Sequence, residues 1–367
     1  MKVDVVRPVD LGESELAVWR GFQSTRSAWA NPFLSPEFTV AVGRVRPQTR
    51  VGVLVDGPAI VGFFPFEQRP LGYGVAVGAG LTDCQGLIHA PGLDWDPQEL
   101  LRSCHLSVWE FDHLVDGQGP FARYEVLRAP SPIMDLRGGF AAYLAERRGT
   151  SVMVRDLPRK RRRLAREVGE VRFELDARDR AALHTVLGWK SAQYQRTGRA
   201  DRFAHPWIVE LLEHLLAERT VHFAGLLSLL HAGDELVAGH VGLRSSRVIP
   251  TWFPAYDVGF ARHSPGVLLH LALAEAAAEA GIDHVDMGRG PKAYKESLKS
   301  RDLIVAEGRV VRRVPAAALH WARRAPVRRL RNVVTDNPAL FRVADRILQA
   351  GGRIRTGLRR APESVRR

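Results

Sequence analysis

Cysteine is almost missing from this chain: Cys84 and Cys104 are its two copies in 367 residues. Their spacing fits neither a metal site nor a redox motif, and a secreted disulfide framework needs more of them. Each reads as a small buried hydrophobe. Long apolar runs are missing too. No apolar stretch reaches the roughly 18 residues of a membrane-spanning helix. The start, MKVDVVRPVDLGESEL, has no apolar core of signal-peptide length, so a cytoplasmic location is the expectation. There is no Walker sequence, no catalytic-triad spacing and no cluster of metal-ligating side chains. No metal cofactor is therefore expected.

Lysine disappears from the C-terminal end. Residues 313–367 hold 14 Arg and no Lys, against Asp336, Asp345 and Glu363. The rest of the chain carries 39 basic and 37 acidic side chains, so the net charge of +13 is concentrated in the tail. A near-neutral body with a basic tail suggests contact with something anionic. Asn337-Pro338 reads as a helix start, and Leu340, Phe341, Ala344, Ile347 and Leu348 then form one apolar stripe. Leu319, Trp321, Val327 and Leu330 alternate with arginines before it. A basic amphipathic helix with Trp and Phe suits an anionic membrane surface, at the inner face of a membrane. An Arg-rich helix packed on the body is the alternative, and RNA contact a third.

What is present is a globular composition, 46% hydrophobic and 25% charged, of a length for about two domains. Val3–Val6 reads as a strand and Ser14–Phe22 as a helix. Ser35-Pro36 reads as a helix cap and first residue. Val51–Val55 and Ala59–Phe66 form a hairpin pattern around Asp56-Gly57. Glycines crowd Gly72–Gly86, an irregular loop able to approach a ligand. Ser107–Leu114 is a strand with Trp109 and Phe111 in the core, while Tyr124–Leu127 and Ile133–Leu136 read as short edges. Gly139–Gly169 is helical and basic, and Pro158 marks a break or a start before the run Arg159-Lys160-Arg161-Arg162-Arg163. That run is a solvated helix face or a phosphate-binding face for a nucleotide-bearing donor or RNA.

The second part of the chain repeats helix signals over 176–196 and 206–219, then turns to strands over Val221–Leu230, Leu236–Leu243 and Val248–Tyr256. Ser264-Pro265 opens a further helix, Gly281 stops it, and Ile282–Met287 is a short strand. A helix mouth with a glycine after a strand is a natural anion cradle, through its free N–H groups and dipole. An ordinary capped helix is the alternative.

This order resembles the GNAT superfamily of acyltransferases. More closely, the chain resembles the GNAT-like family linked to bacterial cellulose biosynthesis (CelD type). The carrying residues are Asn31-Pro32-Phe33-Leu34-Ser35-Pro36-Glu37-Phe38, Trp109-Glu110-Phe111-Asp112-His113-Leu114, Lys190-Ser191-Ala192-Gln193-Tyr194 with Thr197-Gly198, Trp252 with Pro254-Ala255-Tyr256-Asp257, Ser264-Pro265-Gly266, and Asp286-Met287-Gly288-Arg289-Gly290 with Tyr294-Lys295. It is also similar to the Fem-type aminoacyl transferases, which pair two GNAT-like halves. The resemblance implies an α+β fold of mixed, mainly antiparallel sheets flanked by helices. It implies an N-terminal half without the donor site and a C-terminal half that keeps it, set here at 1–150 and 151–312, with the basic helical tail read above over 313–367. It departs at the acyl-CoA signature, Arg/Gln-x-x-Gly-x-Gly/Ala: from Arg262, Pro265 and Val267 stand where glycine and a small residue are wanted.

The expected activity is acyl transfer from acetyl-CoA or another acyl-CoA to an amine or hydroxyl of a small-molecule or saccharide acceptor. By the resemblance, that acceptor is a cell-envelope or exopolysaccharide precursor. Such a reaction needs a hold on the donor's phosphates, a proton acceptor for the nucleophile, and hydrogen-bond donors for the developing charge. Ser264, Gly266, Val267 and Leu268 would hold phosphate, with Lys190, Lys292 and Lys295 as lysine partners. Asp286 would be a base or orienter, or else the cap of the glycine-rich turn after it. His240 is a site-lining or core histidine. Tyr256 and Tyr294 are acids for a departing thiolate, Trp252 a stacking platform for the acceptor, and Gln193 a further acceptor contact. A Fem-type transferase using aminoacyl-tRNA is a second reading, and a non-catalytic membrane-associated scaffold of polysaccharide assembly a third.

Overall fold

The computed structural model describes residues 2–78, 80–290 and 292–317. The tail helices expected beyond 317 lie outside the described residues. The first part runs β1 (Lys2–Val6), α1 (Glu13–Ser24), α2 (Pro36–Val45), β2 (Thr49–Asp56), β3 (Ala59–Arg69), β4 (Tyr73–Val75), β5 (Ile88–His89), α3 (Pro97–Ser103), β6 (Val108–Val115) and β7 (Glu125–Asp135). Then come α4 (Phe140–Thr150), α5 (Val152–Glu167), β8 (Val171–Glu174), α6 (Arg180–Arg196), α7 (Pro206–Ala217), β9 (Phe223–Ala232) and β10 (Glu235–Ser245). The described chain closes with β11 (Val248–Pro250), β12 (Phe253–Tyr256), α8 (Pro265–Glu279), β13 (His284–Asp286), α9 (Ala293–Leu298) and β14 (Arg301–Val311).

The strands form two sheets flanked by helices, an α+β architecture. The larger has the order β1-β2-β3-β4-β6-β14-β7-β13-β11, with β5 on β3; the smaller has the order β12-β10-β9-β8. Strands from late in the chain complete the larger sheet. β14 pairs with both β6 and β7, and β13 pairs with the other side of β7. One sheet thus carries residues from both sides of position 151, which brings early loops and late loops to the same edge.

Two elements differ from the sequence pattern. Tyr124–Leu127 and Ile133–Leu136 are not two edges but the ends of one strand, β7, inside the sheet. Pro130 and Pro132 suggested the interruption, since proline cannot donate to a ladder. Pro132 turns its carbonyl to the Met287 N–H, while Ile133 turns its own toward Ser300 on the β14 side. By alternation, both prolines aim their missing N–H away from β14, on the side where β13 has already ended. Pro158, read as a break or a helix start, lies inside α5, whose buried face of Val154, Leu157 and Leu164 keeps the helix docked.

The third difference makes the site. Val248–Tyr256 reads as one strand, yet it splits. β11 pairs in parallel with β13 in the larger sheet, and β12 pairs antiparallel with β10 in the smaller. The two sheets part at Thr251 and Trp252.

Candidate active site

The split is wedged open by Trp252. The Thr251 N–H makes the last bond to the larger sheet, 2.7 Å to the Asp286 carbonyl. Trp252 then donates its backbone N–H to His240 Nε2 at 3.2 Å and its indole N–H to the Leu81 carbonyl at 2.8 Å. Its ring stacks on Phe253 at 4.8 Å and meets Phe33 edge-on at 5.1 Å. Between the parted strands lies a cleft of about 690 Å³, within the usual range for ligand pockets. β12 is the edge strand on its side. The Asp257 N–H bonds back to Val237 in β10, so by alternation the backbone of Pro254 and Tyr256 faces the free edge.

This geometry reassigns part of the expected site. His240 is 1% exposed and lies beneath the cleft, where it holds the Trp252 backbone; burial pushes its pKa down to about 3, so it is neutral. It positions the wedge and is not among the residues that line the cleft. Trp252 reaches the cleft but is 8% exposed, with one face of its ring stacked on Phe253. Asp286 is 4% exposed and its oxygens accept from Ser131 Oγ at 2.9 Å, the Gly288 N–H at 2.9 Å and Asn31 Nδ2 at 3.4 Å. It caps the turn, the alternative reading above: Oδ1 takes both short bonds, and Oδ2 takes the long one from Asn31.

The helix mouth is built otherwise than expected. Ser264 sits in the left-handed region (φ 55°), and its hydroxyl makes no cap to α8. Lys160 Nζ donates to Ser264 Oγ at 2.8 Å. The Val267 and Leu268 N–H groups both close onto the Ser264 carbonyl, at 3.0 and 3.1 Å, and Leu268 is buried in the core. Those two amides are therefore not free donors, and Pro265 has none. The Gly266 N–H is left, two residues on from the Ser264 hydroxyl that Lys160 holds. The Tyr256 ring covers Gly266 so closely that a Cβ there would lie 3.2 Å from it.

One turn into α8 stands His270, which the sequence reading did not single out. Its Nδ1 lies 2.6 Å from the Gly266 carbonyl, and a carbonyl only accepts, so Nδ1 carries the proton. Nε2 is then a lone pair, buried and without a partner. Burial lowers the pKa to about 4, and the Tyr294 ring stands 5.2 Å away. Burial raises Tyr294 to about 12, which keeps its hydroxyl protonated.

A cationic wall closes the other side. Lys190 Nζ donates to the Pro254 carbonyl at 2.9 Å, and burial, then Lys292, Arg199 and Lys295, push its pKa down to about 8. Lys295 Nζ holds the Gly288 and Arg289 carbonyls at 2.7 and 3.2 Å. Gln193 lines the same space, and its Oε1 has no partner.

The early part of the chain adds a carboxylate that the sequence reading missed. Asp83, in the glycine-rich loop, lines the cleft against the Gly288 turn. Burial lifts its pKa to about 6; Asp286 and Asp112 add to that, and His113 and Lys295 oppose it. Asp83 Oδ1 lies 3.6 Å from His113 Nε2, and His113 Nδ1 lies 3.0 Å from Asp112 Oδ1. Burial works against the His113 imidazolium, yet the two carboxylates outweigh it and raise its pKa. Asp83 is thus backed by His113 and Asp112 of β6.

Residues 152–296, from α5 to α9, match the acetyltransferase (GNAT) domain family model. They form a GNAT-type acyltransferase domain, and the match does not narrow it to the CelD type. In fold, the chain is similar to the crystal structure of FemX, with 11% identity over 83% of this chain and 96% of that one, and a TM-score of 0.52. It is also similar to L-PGS from Bacillus licheniformis, with 11% identity, 85% and 96% coverage and a TM-score of 0.48. A tandem GNAT protein from the clavulanic acid biosynthesis pathway gives 13% identity, 84% and 98% coverage and a TM-score of 0.44. No curated protein sequence matches the chain.

Proposed function

We propose that this protein transfers an acetyl or other acyl group from acyl-CoA to an amine or hydroxyl of a small-molecule or saccharide acceptor, such as a cell-envelope or exopolysaccharide precursor. One observation carries the reading: the split between β11 and β12 opens beside the mouth of α8, where the Gly266 N–H, Ser264 and Lys160 converge. That combination suits a donor with phosphates at one end and an extended amide arm. The Gly266 amide and Lys160 ammonium would take the phosphate charge. The free edge of β12, at Tyr256, would hold the arm as an added strand.

The thioester supplies an electrophilic carbonyl and a thiolate leaving group. Asp83 accepts the proton that the attacking amine or hydroxyl loses, and a pKa near 6 suits a base at neutral pH. His113 and Asp112 hold Asp83 in place. Tyr294, still protonated, gives its proton to the departing sulfur. His270 Nε2 offers a lone pair to an N–H or O–H of the bound substrates.

Calorimetric titration of the full chain with acetyl-CoA tests this, with Lys160→Ala as the weakened variant. Charged tRNA is the second titrant, because the α5 run that supplies Lys160 also presents an Arg-rich face suited to RNA. Binding of tRNA and not acetyl-CoA moves the reading to a Fem-type aminoacyl transferase. If neither binds, and Gly266→Trp leaves the cellular phenotype intact, the scaffold reading stands. We also propose that residues 313–367 attach the protein to an anionic membrane surface; equal liposome flotation with and without that tail sinks the idea.

A further inference from the structure

The cleft holds more positive charge than its own residues balance. Lys190, Arg199, Arg289, Lys292 and Lys295 line it, against the single carboxylate of Asp83. Arg289 is answered by Glu307 at 3.0 Å, and Lys295 is held by loop carbonyls and feels Asp83. Lys190, Arg199 and Lys292 have no carboxylate in ion-pair reach among the described residues. Some cations of the same domain are paired, Arg180 with Glu213 and Arg219 with Asp176, while unpaired ones such as Arg162 and Arg178 are exposed on helix and loop surfaces outside the cleft. Gathering unpaired cations in a half-enclosed cleft costs free energy, and an anion that enters returns it.

The position matters as much as the charge. Lys190 is anchored on Pro254, two residues along β12 from Tyr256, whose ring covers Gly266. At about 3.3 Å per residue that is roughly 7 Å from the helix mouth toward the strand split. Arg199 comes from the loop after α6 and Lys292 from the loop before α9, so the cluster is assembled from both walls. The groups beside it are of another kind. Gln193 Oε1 and Thr251 Oγ1 line the cleft without partners, and Asp83 faces the same space. This end therefore offers cations for an anion and acceptors for N–H or O–H groups.

We propose that Lys190, Arg199 and Lys292 form a second anion site, separate from the helix mouth, which binds a phosphate or carboxylate carried by the acceptor. The acceptor is then a small molecule with an anionic group in addition to its nucleophilic amine or hydroxyl, such as an amino- or hydroxyl-bearing sugar phosphate or sugar acid. The inference rests on the acyl-CoA reading for the word "acceptor", and on the cleft geometry for the site.

Phosphorus NMR and calorimetry of the full chain decide it, with inorganic phosphate, glucosamine 6-phosphate, glucuronate and uncharged glucosamine as probes. Each is titrated into the free protein and into the protein saturated with CoA. The variant is Arg199→Ala with Lys292→Ala, both exposed side chains outside the core, and Lys160→Ala is the control at the other end. The expected result has glucosamine 6-phosphate or glucuronate binding in the presence of CoA, at least tenfold more tightly than glucosamine. The double variant should lose that preference while its CoA affinity changes less than threefold, and Lys160→Ala should do the reverse. Whether glucosamine 6-phosphate or glucuronate binds more tightly tells phosphate from carboxylate. Anions that compete with CoA, or a double variant that weakens CoA and spares the anion, would show the cluster to be part of the donor site and overturn the proposal. Absence of binding by every anionic probe overturns it too. If CoA itself fails to bind while the double variant still abolishes anion binding, the acyl-CoA reading falls and the anion site stands.

Discussion

Two aspartates flank one turn and are spent in opposite ways. Asp286 and Asp83 both lie against Gly288, which holds a positive φ of 72° and sits so close to Asp83 that a Cβ there would be 3.1 Å from its carboxylate. Asp286, at the end of β13, accepts two short internal bonds at Oδ1 and a longer one from Asn31 at Oδ2. Asp83, from the early loop, faces the cleft with a histidine 3.6 Å behind it. Under the proposed function, the better-partnered carboxylate is structural and the under-served one is the base. A buried acceptor with its partners in place stabilises a turn, whereas one kept short of partners holds its proton more tightly and can exchange it near neutral pH.

The largest expected effect tests the second half of that contrast. Asp83→Asn should lower kcat/KM by a hundredfold or more, about the scale of general-base catalysis, with CoA affinity kept. Thiol release from acetyl-CoA with the accepting probe measures it. The wild-type rate should rise with pH through about 6, as Asp83 loses its proton, and that limb should vanish in the variant. A retained limb would move the base elsewhere.

Asp286→Ala should act on the fold instead. It leaves the Ser131 hydroxyl and the Gly288 N–H buried without their acceptor, a loss of about 2 kcal/mol, read by chemical or thermal unfolding. Should Asp286→Ala unfold normally but fail to turn over, the two roles would have to be exchanged.

At the donor end, Lys160→Ala should weaken CoA binding about tenfold, near 1.4 kcal/mol, by calorimetry. Arg162→Ala, two residues on, should change it little, because Lys160 is the member of the run that reaches Ser264.

How much of this was legible in the sequence follows from where each feature is decided. The helix mouth was readable because Ser264-Pro265-Gly266 is local chemistry, and so was the hairpin around Asp56-Gly57. Which amides the mouth keeps free was not, since that depends on the left-handed turn at Ser264. The split of Val248–Tyr256 left no mark, because both halves are apolar and the break is imposed from outside by His240, Leu81 and Phe33 on Trp252. Lys160 looked like its neighbours in a charged run until the docking of α5 chose one of them. Asp83 sits in a glycine-rich loop without periodicity, and only the shared sheet carries it to the late Gly288 turn. Strand β14 went unread for a related reason: its place between β6 and β7 is a long-range fact.

The smallest effect is the one most specific to the comparison, and it has the opposite sign to that of Asp286→Ala. Asp83 has a folded pKa of about 6, above an unfolded value near 3.9. Its charged form is thus disfavoured by folding, and the protein carries that cost wherever Asp83 is ionised in the native state. The cost is absent below about pH 3.9, grows as the pH rises through the window up to about 6, and is complete above it. Asp83→Asn removes the charge, so the inactive variant should melt above the wild type at pH 7, by a degree or a few. The gap should shrink at pH 5 and close toward pH 4. Melting curves at these three pH values, set beside those of Asp286→Ala, place the two aspartates on opposite sides of the wild type at neutral pH. A destabilised Asp83→Asn at pH 7 would show that His113 and Lys295 depend on that carboxylate more than burial penalises it, and Asp83 would then join Asp286 as a structural residue.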